Sequence, residues 1–552
     1  MTLAPRRSLL LTLVFAVLIS FPLAGARDFW APDEDRYALA AQEMLLDGHW
    51  GHPHVNGQPY RDKPPGYFWS AAVLSWPAGR VTELTARLPS LLAGLLMVGL
   101  CWDLARRLPH AGSDPGTRAL LTGLVLATTF LIAWLTRRVC LDVLLTCCTV
   151  GALWSLWVAH ERSRRAARTL GPAMLAGVFL AVGVMTKGPV LFLPVAAAAA
   201  VLLFHPRLKE ERSGGLGLGW MALALVLALA AWLVPSALLA DYQPWSILNE
   251  HVVERASSGR HHVRPPWHYL VGLPADLAPW SPWFVVALVA AIRQRDRSPA
   301  DLFLLSWWLV PLVVLSIIIE KRNLYLLTSY PAVALLLGRW LASPDRDPDA
   351  PGFRWSGWLT CAGLLLLGVV LLVAGLAWSD VVAREDTLSL VPDLRGGVLG
   401  MSALVLVAAG LLGRALWQRW SVPRTATVLA LSTGAVFLGL AAVLPKLDPL
   451  KSARPFGAAV AELASEGPVG TYGRFRAGYA YYADRKLTYV PGESEKPGAL
   501  AAWLTEVDRP AHLLIYEPFP EVVPDGARPP KIVKEGRVGS REVRLLRYEN
   551  RD

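Results

Sequence analysis

Acidic, basic and aromatic side chains recur within one short stretch, FWAPDEDRYALAAQEMLLDGHWGHPHVNGQPYRDKPPGYFW, residues 29–69. Asp33 follows Pro32 and has two readings. It is a suitable N-cap for a helix over 34–46 that Gly48 would stop. It is equally a carboxylate set at a membrane surface, able to act as a general base or as a charge partner. Positions 33, 36, 37, 40 and 44 share one helical face, which groups Asp33 with Arg36 and Tyr37 and predicts a helix lying flat in the interface, apolar side down. Asp62 and Lys63 recur just before a second short helix, expected to start at Pro64–Pro65 and to run through Tyr67, Phe68 and Trp69. That pair is either a solvated ion pair or part of the same site. His49, His52, His54, His251, His261, His262 and His268 fall in two stretches of the chain, and a divalent metal with Asp62 as an oxygen ligand is one use for them. Their spacing matches no standard zinc pattern.

Three further groups of cations stand next to long apolar runs: Arg137/Arg138, Lys187 in MTKGPV, and Lys321/Arg322 after Glu320. Charges at the hydrocarbon edge are costly, so they either snorkel to the interface or serve a function. Taken together they fit an anion held at the membrane surface, and a lipid phosphate is the natural one because its tail stays in the bilayer. Gly188 and Pro189 would break the helix after Lys187 and turn the ammonium inward.

The elements that must position these groups are membrane helices. Of the 552 residues, 54% are hydrophobic and only 18% charged, with a mean hydropathy of +0.39. A run of about 18 or more apolar residues suffices to cross a bilayer, and about thirteen such spans are expected. Their limits are 8–26, 85–105, 118–136, 140–159, 170–186, 188–204, 218–240, 278–292, 301–319, 323–341, 356–378, 397–416 and 425–444. The N-terminal stretch mimics a signal peptide but reads as an uncleaved first helix. With Arg6 and Arg7 in the cytoplasm, alternate connections carry Arg106/Arg107, Arg162 to Arg168, Arg207/Lys209/Arg212, Arg293 to Arg297, Arg339/Arg346 and Arg414/Arg419. This obeys the positive-inside rule. Two long connections, 27–84 and 241–277, and a tail from 445 to 552 then face outward. The tail reads as a small α/β domain: a helical stretch, FGAAVAELASEG, then the strand-like PVGTYG, KLTYV, HLLIYE and EVRLLRY. The expected fold is thus an all-α polytopic membrane domain, 1–444, with amphipathic helices in its first outer loop and an α/β domain behind it.

The net charge of +11 does not point to nucleic acid, because the cations sit between apolar runs and form no basic stripe with interleaved aromatics. No Walker A or Rossmann glycine pattern is present, so no nucleotide cofactor is expected. Cys101, Cys140, Cys147, Cys148 and Cys361 lie in or beside apolar segments and read as buried small hydrophobes.

The stretch PDEDRYALAAQEMLLDGHWGHPHVNGQPYRDKPPGYFW resembles the first periplasmic loop of the bacterial transferases that attach aminoarabinose to lipid A. It is also similar to related protein O-mannosyltransferase-like enzymes of the C-type glycosyltransferase superfamily. The LD of VCLDVLLT, MTKGP, NEHVVERASSGRHHVRPPWHYL, the PW of LAPWSPW and EKRNLYLLTSYPAVALLLG extend the resemblance along most of the chain. It implies an inner-membrane enzyme whose donor is an undecaprenyl-phosphate-type sugar. It makes Asp33 the essential loop carboxylate, Asp142 a second acidic position beneath it, and Arg36, Tyr37 and Lys63 lining of the same cavity. Lys187, Lys321 and Tyr325, with Arg255, would meet the donor phosphate. Asp62, where these enzymes commonly carry Glu, and His251 would hold a divalent ion, with the arm one methylene short.

A growing charge on the leaving phosphate is stabilised by preplaced cations, and one displacement inverts the sugar. Asp33 would serve as base toward a hydroxyl acceptor, or orient a phosphate acceptor. Lipid A, another envelope glycan and a protein side chain are all open as acceptors. A transporter or flippase of lipid-linked sugars would also place cations at headgroup level, but the hydrophobic pattern has no internal repeat. A scaffold would not need these charges on one side.

Overall fold

The structure is a computed structural model, and it describes residues 4–239, 263–294, 297–344, 346–384, 388, 390–391, 394–463, 467–507, 510–517, 519, 529–539 and 541–549. Among these, nine helices are long and apolar enough to cross a membrane, or eleven if each of two bent pairs counts as one span. The expected spans 8–26 and 188–204 fall on shorter helices, Pro5–Ser20 and Phe192–Phe204. Sixteen residues rise only about 24 Å, short of a hydrocarbon core of about 30 Å. The helices Leu141–Arg164 and Asn323–Leu341 are central, 83% and 89% buried, whereas Leu218–Leu238 and Pro351–Leu376 are 17% buried and form the apolar rim.

The two bent pairs support each other. Pro115–Thr128 and Phe130–Thr136 meet at 67°, and His268–Asp276 and Ser281–Arg293 at 118°. Breaking a helix in an apolar setting frees backbone groups that need partners. The Phe130 amide donates to the Ala278 carbonyl at 2.9 Å, and the Trp280 indole donates to Thr128 at 3.0 Å. Each break supplies what the other lacks.

Charged residues gather at both ends of the bundle. At one end Arg107 bonds Glu161 at 2.6 Å, Arg164 bonds Glu211 at 3.1 Å and Arg339 bonds Asp301 at 2.8 Å. The first loop and the C-terminal domain occupy the other end.

The first loop contains the helices Glu34–Leu46 and Gly66–Ser75. Between them a hairpin pairs β1 (His54–Val55) with β2 (Gln58–Pro59). Its turn is Asn56–Gly57, both at positive φ, which is the sequence such two-residue turns require. Glu43 accepts from the Asn56 and Gly57 amides at 2.6 and 3.0 Å and fixes the hairpin to the first helix.

The C-terminal domain carries a five-stranded sheet of order β4-β3-β5-β7-β6. These strands are β3 (Val469–Tyr472), β4 (Thr488–Val490), β5 (Ala511–Tyr516), β6 (Lys531–Val538) and β7 (Arg541–Tyr548). β3 runs parallel to β4 and β5, while β7 is antiparallel to β5 and β6. All six residues of the central β5 are buried, which is why HLLIY reads as a continuous run rather than an alternation.

This domain seats directly on the loop helix Glu34–Leu46, which is therefore covered on its polar side as well as its apolar one. Ten of its residues are buried, polar ones included. Ala38, Ala41 and Met44 share one apolar cluster with Phe68, Phe456, Tyr479 and Leu514. Hydrogen bonds fasten the same contact. Asn56 exchanges two with the Leu487 backbone at 2.7 and 2.8 Å, Gln42 donates to Asp484 at 2.8 Å, and Trp30 donates to Asp448 at 2.7 Å. The sequence pattern missed this because the small residues that let a second layer approach, Ala38 and Ala41, look neutral in a one-sided reading.

Asp35 lies in this contact, 3% exposed, and accepts from the Gly478 amide at 3.1 Å. Burial raises its carboxyl to about 6, against the pull of the Arg36 and Gly478 amides. A raised carboxylate is favoured in its protonated form, so the docked state gains stability as pH falls through about 6 and loses it as pH rises. The shift from 3.8 corresponds to about 3 kcal/mol. Asp35→Asn keeps an acceptor for Gly478 without the charge. The thermal midpoint of the purified wild type should therefore rise between pH 7.5 and pH 5, and that of Asp35→Asn should stay nearly flat. Equal slopes would refute the account.

Candidate active site

A cavity of about 790 Å³, counted to its open mouth, lies where the first loop meets the ends of four membrane segments. Its polar lining is Asp33, Tyr37, Lys63, Asp142, Lys187, Glu320, Arg322 and Tyr325. Among the described residues, three carboxylates thus face three cations.

Each is delivered by a local feature of the chain. Lys187 is the last residue of the helix Leu170–Lys187, which ends because Gly188 takes a φ of +94° before Pro189. Its ammonium pairs with Asp142 and sits 5.1 Å over the Tyr325 ring. A cation at a helix C-terminus and an anion at a helix N-terminus both gain from the helix dipole. Asp142, in the first turn of Leu141–Arg164, completes that arrangement. Gly66 begins the second loop helix where a Cβ would lie 2.7 Å from the Met185 carbonyl. Only glycine permits that approach, and it brings Lys63 of the KPPG turn to the cavity that Lys187 lines.

Asp33 occupies the N-cap position of Glu34–Leu46 but makes no side-chain capping bond. The capping reading is thereby corrected. Its carboxylate lies 3.6 Å from the Arg322 guanidinium, with its side chain 34% exposed. Tyr37 is buried, and its hydroxyl is pushed well above 10 by burial and by the charge of Asp33, so it remains a donor. Arg36 does not line the cavity. It bonds Tyr60, and its charge acts on Asp33 from behind.

What fixes Asp33 is the next residue. Glu34 is fully buried, and both its oxygens meet the Arg27 guanidinium, at 2.6 and 2.8 Å. It lies 3.3 Å from Arg87 and 3.6 Å from Arg138, and accepts from the amides of Trp30 and Val139, each at 3.2 Å. Burial alone would raise this carboxyl, but Arg87, Arg27 and Arg138 outweigh it and hold it at about 2. Arg87 also donates to the Ala24, Arg27 and Asp28 carbonyls at 2.8, 2.8 and 2.9 Å. Neither Glu34 nor Arg87 stood out in the sequence reading. An arginine one turn into an apolar span is itself the sign of a buried partner.

The structure does not bring Lys321 to the cavity. It is 3% exposed and donates to the backbone carbonyls of Ile318 and Arg264. Its neighbours Glu320 and Arg322 face in instead, because the chain is extended there and successive side chains point opposite ways. His251 and Arg255 lie outside the described residues. Asp62 is exposed and absent from the lining. His54 stacks on His49 with ring centroids 3.7 Å apart and lies tilted against His52 at 4.5 Å. Among the described residues no group of three or more His, Cys, Asp or Glu is arranged to hold a metal ion. The expected pair for a divalent ion, Asp62 and His251, includes a residue outside the described ones.

A family profile for dolichyl-phosphate-mannose-protein mannosyltransferases matches residues 7–243. The undecaprenyl phosphate-alpha-4-amino-4-deoxy-L-arabinose arabinosyl transferase of Pseudomonas paraeruginosa is 33% identical over 441 residues, covering 78% of this chain and 74% of that one. The chain belongs to this arabinosyl transferase family. A member from Aeromonas hydrophila is 28% identical over 440 residues, covering 79% and 76% of the two chains. The fold is shared with a crystal structure of ArnT from Cupriavidus metallidurans bound to undecaprenyl phosphate. That match has a TM-score of 0.75 at 21% identity and covers 98% of each chain. A member of the arabinosyl transferase family is a multi-pass membrane glycosyltransferase, and that describes this chain. The comparisons support the enzyme and not the flippase.

Glu34→Gln leaves Arg27 and Arg87 buried without a counter-charge, at a cost of about 3–5 kcal/mol. The thermal midpoint in detergent should fall clearly, whereas Glu34→Asp, which keeps the charge, should recover part of it. A Gln variant as stable as wild type would remove Glu34 from its central place.

Proposed function

We propose that this protein moves a sugar from an undecaprenyl-phosphate-type lipid to an envelope acceptor (lipid A, another glycan or a protein side chain) at the periplasmic face, by a single inverting displacement. The observation that carries this is the cavity itself: three carboxylates and three cations at the membrane edge, with Lys187 paired to Asp142 and Arg322 beside Asp33. A lipid phosphate entering the cavity takes over the cations from the carboxylates. Lys187, Arg322 and Lys63 then surround the phosphate, and the Tyr325 hydroxyl lies on the same wall. As the bond from the anomeric carbon to the phosphate oxygen breaks, charge builds on that oxygen among groups already oriented toward it. The acceptor oxygen attacks the opposite face of the sugar, and undecaprenyl phosphate leaves with the bonding pair.

Asp33, released from Arg322 by the phosphate, accepts the proton of a hydroxyl acceptor. Toward a phosphate acceptor no base is needed, and Asp33 orients it. Asp142 keeps the Lys187 ammonium aimed at the cavity. The basic clusters at the far end of the bundle, Arg107, Arg164 and Arg339 among them, support a cytoplasmic N-terminus and a periplasmic cavity. The C-terminal domain then lies in the periplasm of the inner membrane.

The test is transfer of radiolabel from a polyprenyl-phosphate-sugar pool to an envelope extract by the purified protein. Asp33→Asn should lower turnover by about 100-fold or more toward a hydroxyl acceptor, with folding intact. Lys187→Met should weaken the donor by about ten-fold or more, since a hydrogen bond to a charged group contributes roughly 1.5–3 kcal/mol. Full activity of Asp33→Asn would reject the assignment. Movement of lipid-linked sugar across vesicles without any transfer would replace the enzyme with the flippase.

A further inference from the structure

A second cleft opens at the cavity end of the bundle, between the end of the helix Pro5–Ser20, the short helix Phe130–Thr136 and the membrane helix Val422–Val443. Among the described residues its lining contains Arg27, Arg137 and Arg138 and no acidic residue. Most of the remaining surface is apolar, including Trp134, Phe437 and Leu440. Arg27, Arg87 and Arg138 all address the carboxylate of Glu34, while Asp448 and Glu83 act on Arg27 and Arg87 only through longer-range charge. Arg137 binds no carboxylate in this cluster and donates to the carbonyls of Ile19, Ser20 and Pro22 at 2.9, 2.7 and 2.5 Å. Arg138 stands farthest from Glu34, at 3.6 Å against 2.6 Å for Arg27, and lies 5.3 Å over the Trp134 ring.

A soluble anion has no use for an apolar wall supplied by a membrane helix, and an uncharged lipid has no use for three guanidiniums. An anionic lipid uses both: phosphate on the arginines, acyl chain along Phe437 and Leu440. We infer that this cleft is a second lipid-phosphate site, separate from the donor site and holding the headgroup phosphate of an anionic lipid from the leaflet on the cavity side. The two sites share a wall. Residues 137 and 138 line the cleft, residues 139–142 line the catalytic cavity, and Glu34 bonds both Arg138 and the Val139 amide. A phosphate on Arg138 competes with Glu34 for that guanidinium, and so acts one residue away from Asp33. The assignment concerns binding and stands whether or not the proposed transfer is correct.

Full-length protein, delipidated in detergent, is titrated by native mass spectrometry with phosphatidylglycerol, with diacylglycerol of the same chains, and with inorganic phosphate. Wild type should retain one phosphatidylglycerol at least ten-fold more tightly than diacylglycerol, with inorganic phosphate far weaker. Arg138→Gln should lose about ten-fold in phosphatidylglycerol affinity, and Arg138→Lys should retain most of it. Lys187→Met should leave phosphatidylglycerol binding unchanged. Arg138→Gln should leave undecaprenyl phosphate binding unchanged. Arg137→Gln is avoided because it unties the end of a helix. Equal lipid binding by wild type and Arg138→Gln overturns the site, as does equal affinity for phosphatidylglycerol and diacylglycerol. Loss of undecaprenyl phosphate with Arg138→Gln would show one donor site rather than two. The occupant's source follows from kinetics, and both results support the site. A raised KM for a phosphorylated acceptor lipid alone identifies the acceptor. An unchanged KM, with loss of the stabilisation that phosphatidylglycerol gives wild type, identifies a resident phospholipid.

Discussion

One buried carboxylate holds the functional end of this protein together. Glu34 joins three pieces of chain that are far apart in sequence: the exit of the first helix through Arg27, the span Glu83–Arg107 through Arg87, and the turn before Asp142 through Arg138 and the Val139 amide. Burying an ion costs several kcal/mol unless charge and hydrogen bonds replace the lost water. Here two close guanidiniums and two amides do so, and a third guanidinium adds its charge. Because Glu34 opens the loop helix, its position also sets that of Asp33, and the anchored turn sets that of Asp142. Asp33 and Asp142, two of the three carboxylates that line the cavity among the described residues, are therefore located by a network behind it.

The C-terminal domain completes this frame from the other side. Its apolar face continues the core of the first loop, so the loop helix is an inner layer rather than a surface element. Hydrogen bonds at Asn56, Gln42 and Trp30 fix the register of that layer. A loop that carries reactive groups needs such support, because orientation is most of what an enzyme contributes to a displacement whose energy is stored in the donor.

Opposite charges inside the cavity pair with one another, as Lys187 does with Asp142. That pairing holds buried charges without a ligand and gives an arriving phosphate cations that are already oriented. Pairing on the protein side accounts for the acids beside the cations of the cavity, and a largely apolar cleft whose charged lining, among the described residues, is arginine, behind the same wall, fits an anion of its own.

Much of this was legible in the sequence, for identifiable reasons. Apolar runs gave the membrane class, and the alternation of basic connections gave an expected orientation, because both follow from the cost of placing charge in hydrocarbon. Lys187 could be read as turned inward because Gly188 and Pro189 are local signals, and the strands of the tail were visible as short β-rich runs. Local signals failed where the outcome depended on distant partners. Asp33 read either as a cap or as a functional carboxylate, and what separates the two is its contact with Arg322, almost three hundred positions later. Lys321 looked like a cavity cation, yet one step in an extended segment sent it to the backbone and brought Arg322 in. Among the described residues nine to eleven of the expected thirteen spans are long and apolar enough to cross, because helix length and bending depend on packing as well as hydropathy. What the sequence determined by itself was everything set by partition between water and lipid and by local backbone preference. What only the tertiary structure decided was which charges meet, since pairing energy depends on distances across the fold that no run of neighbouring residues encodes.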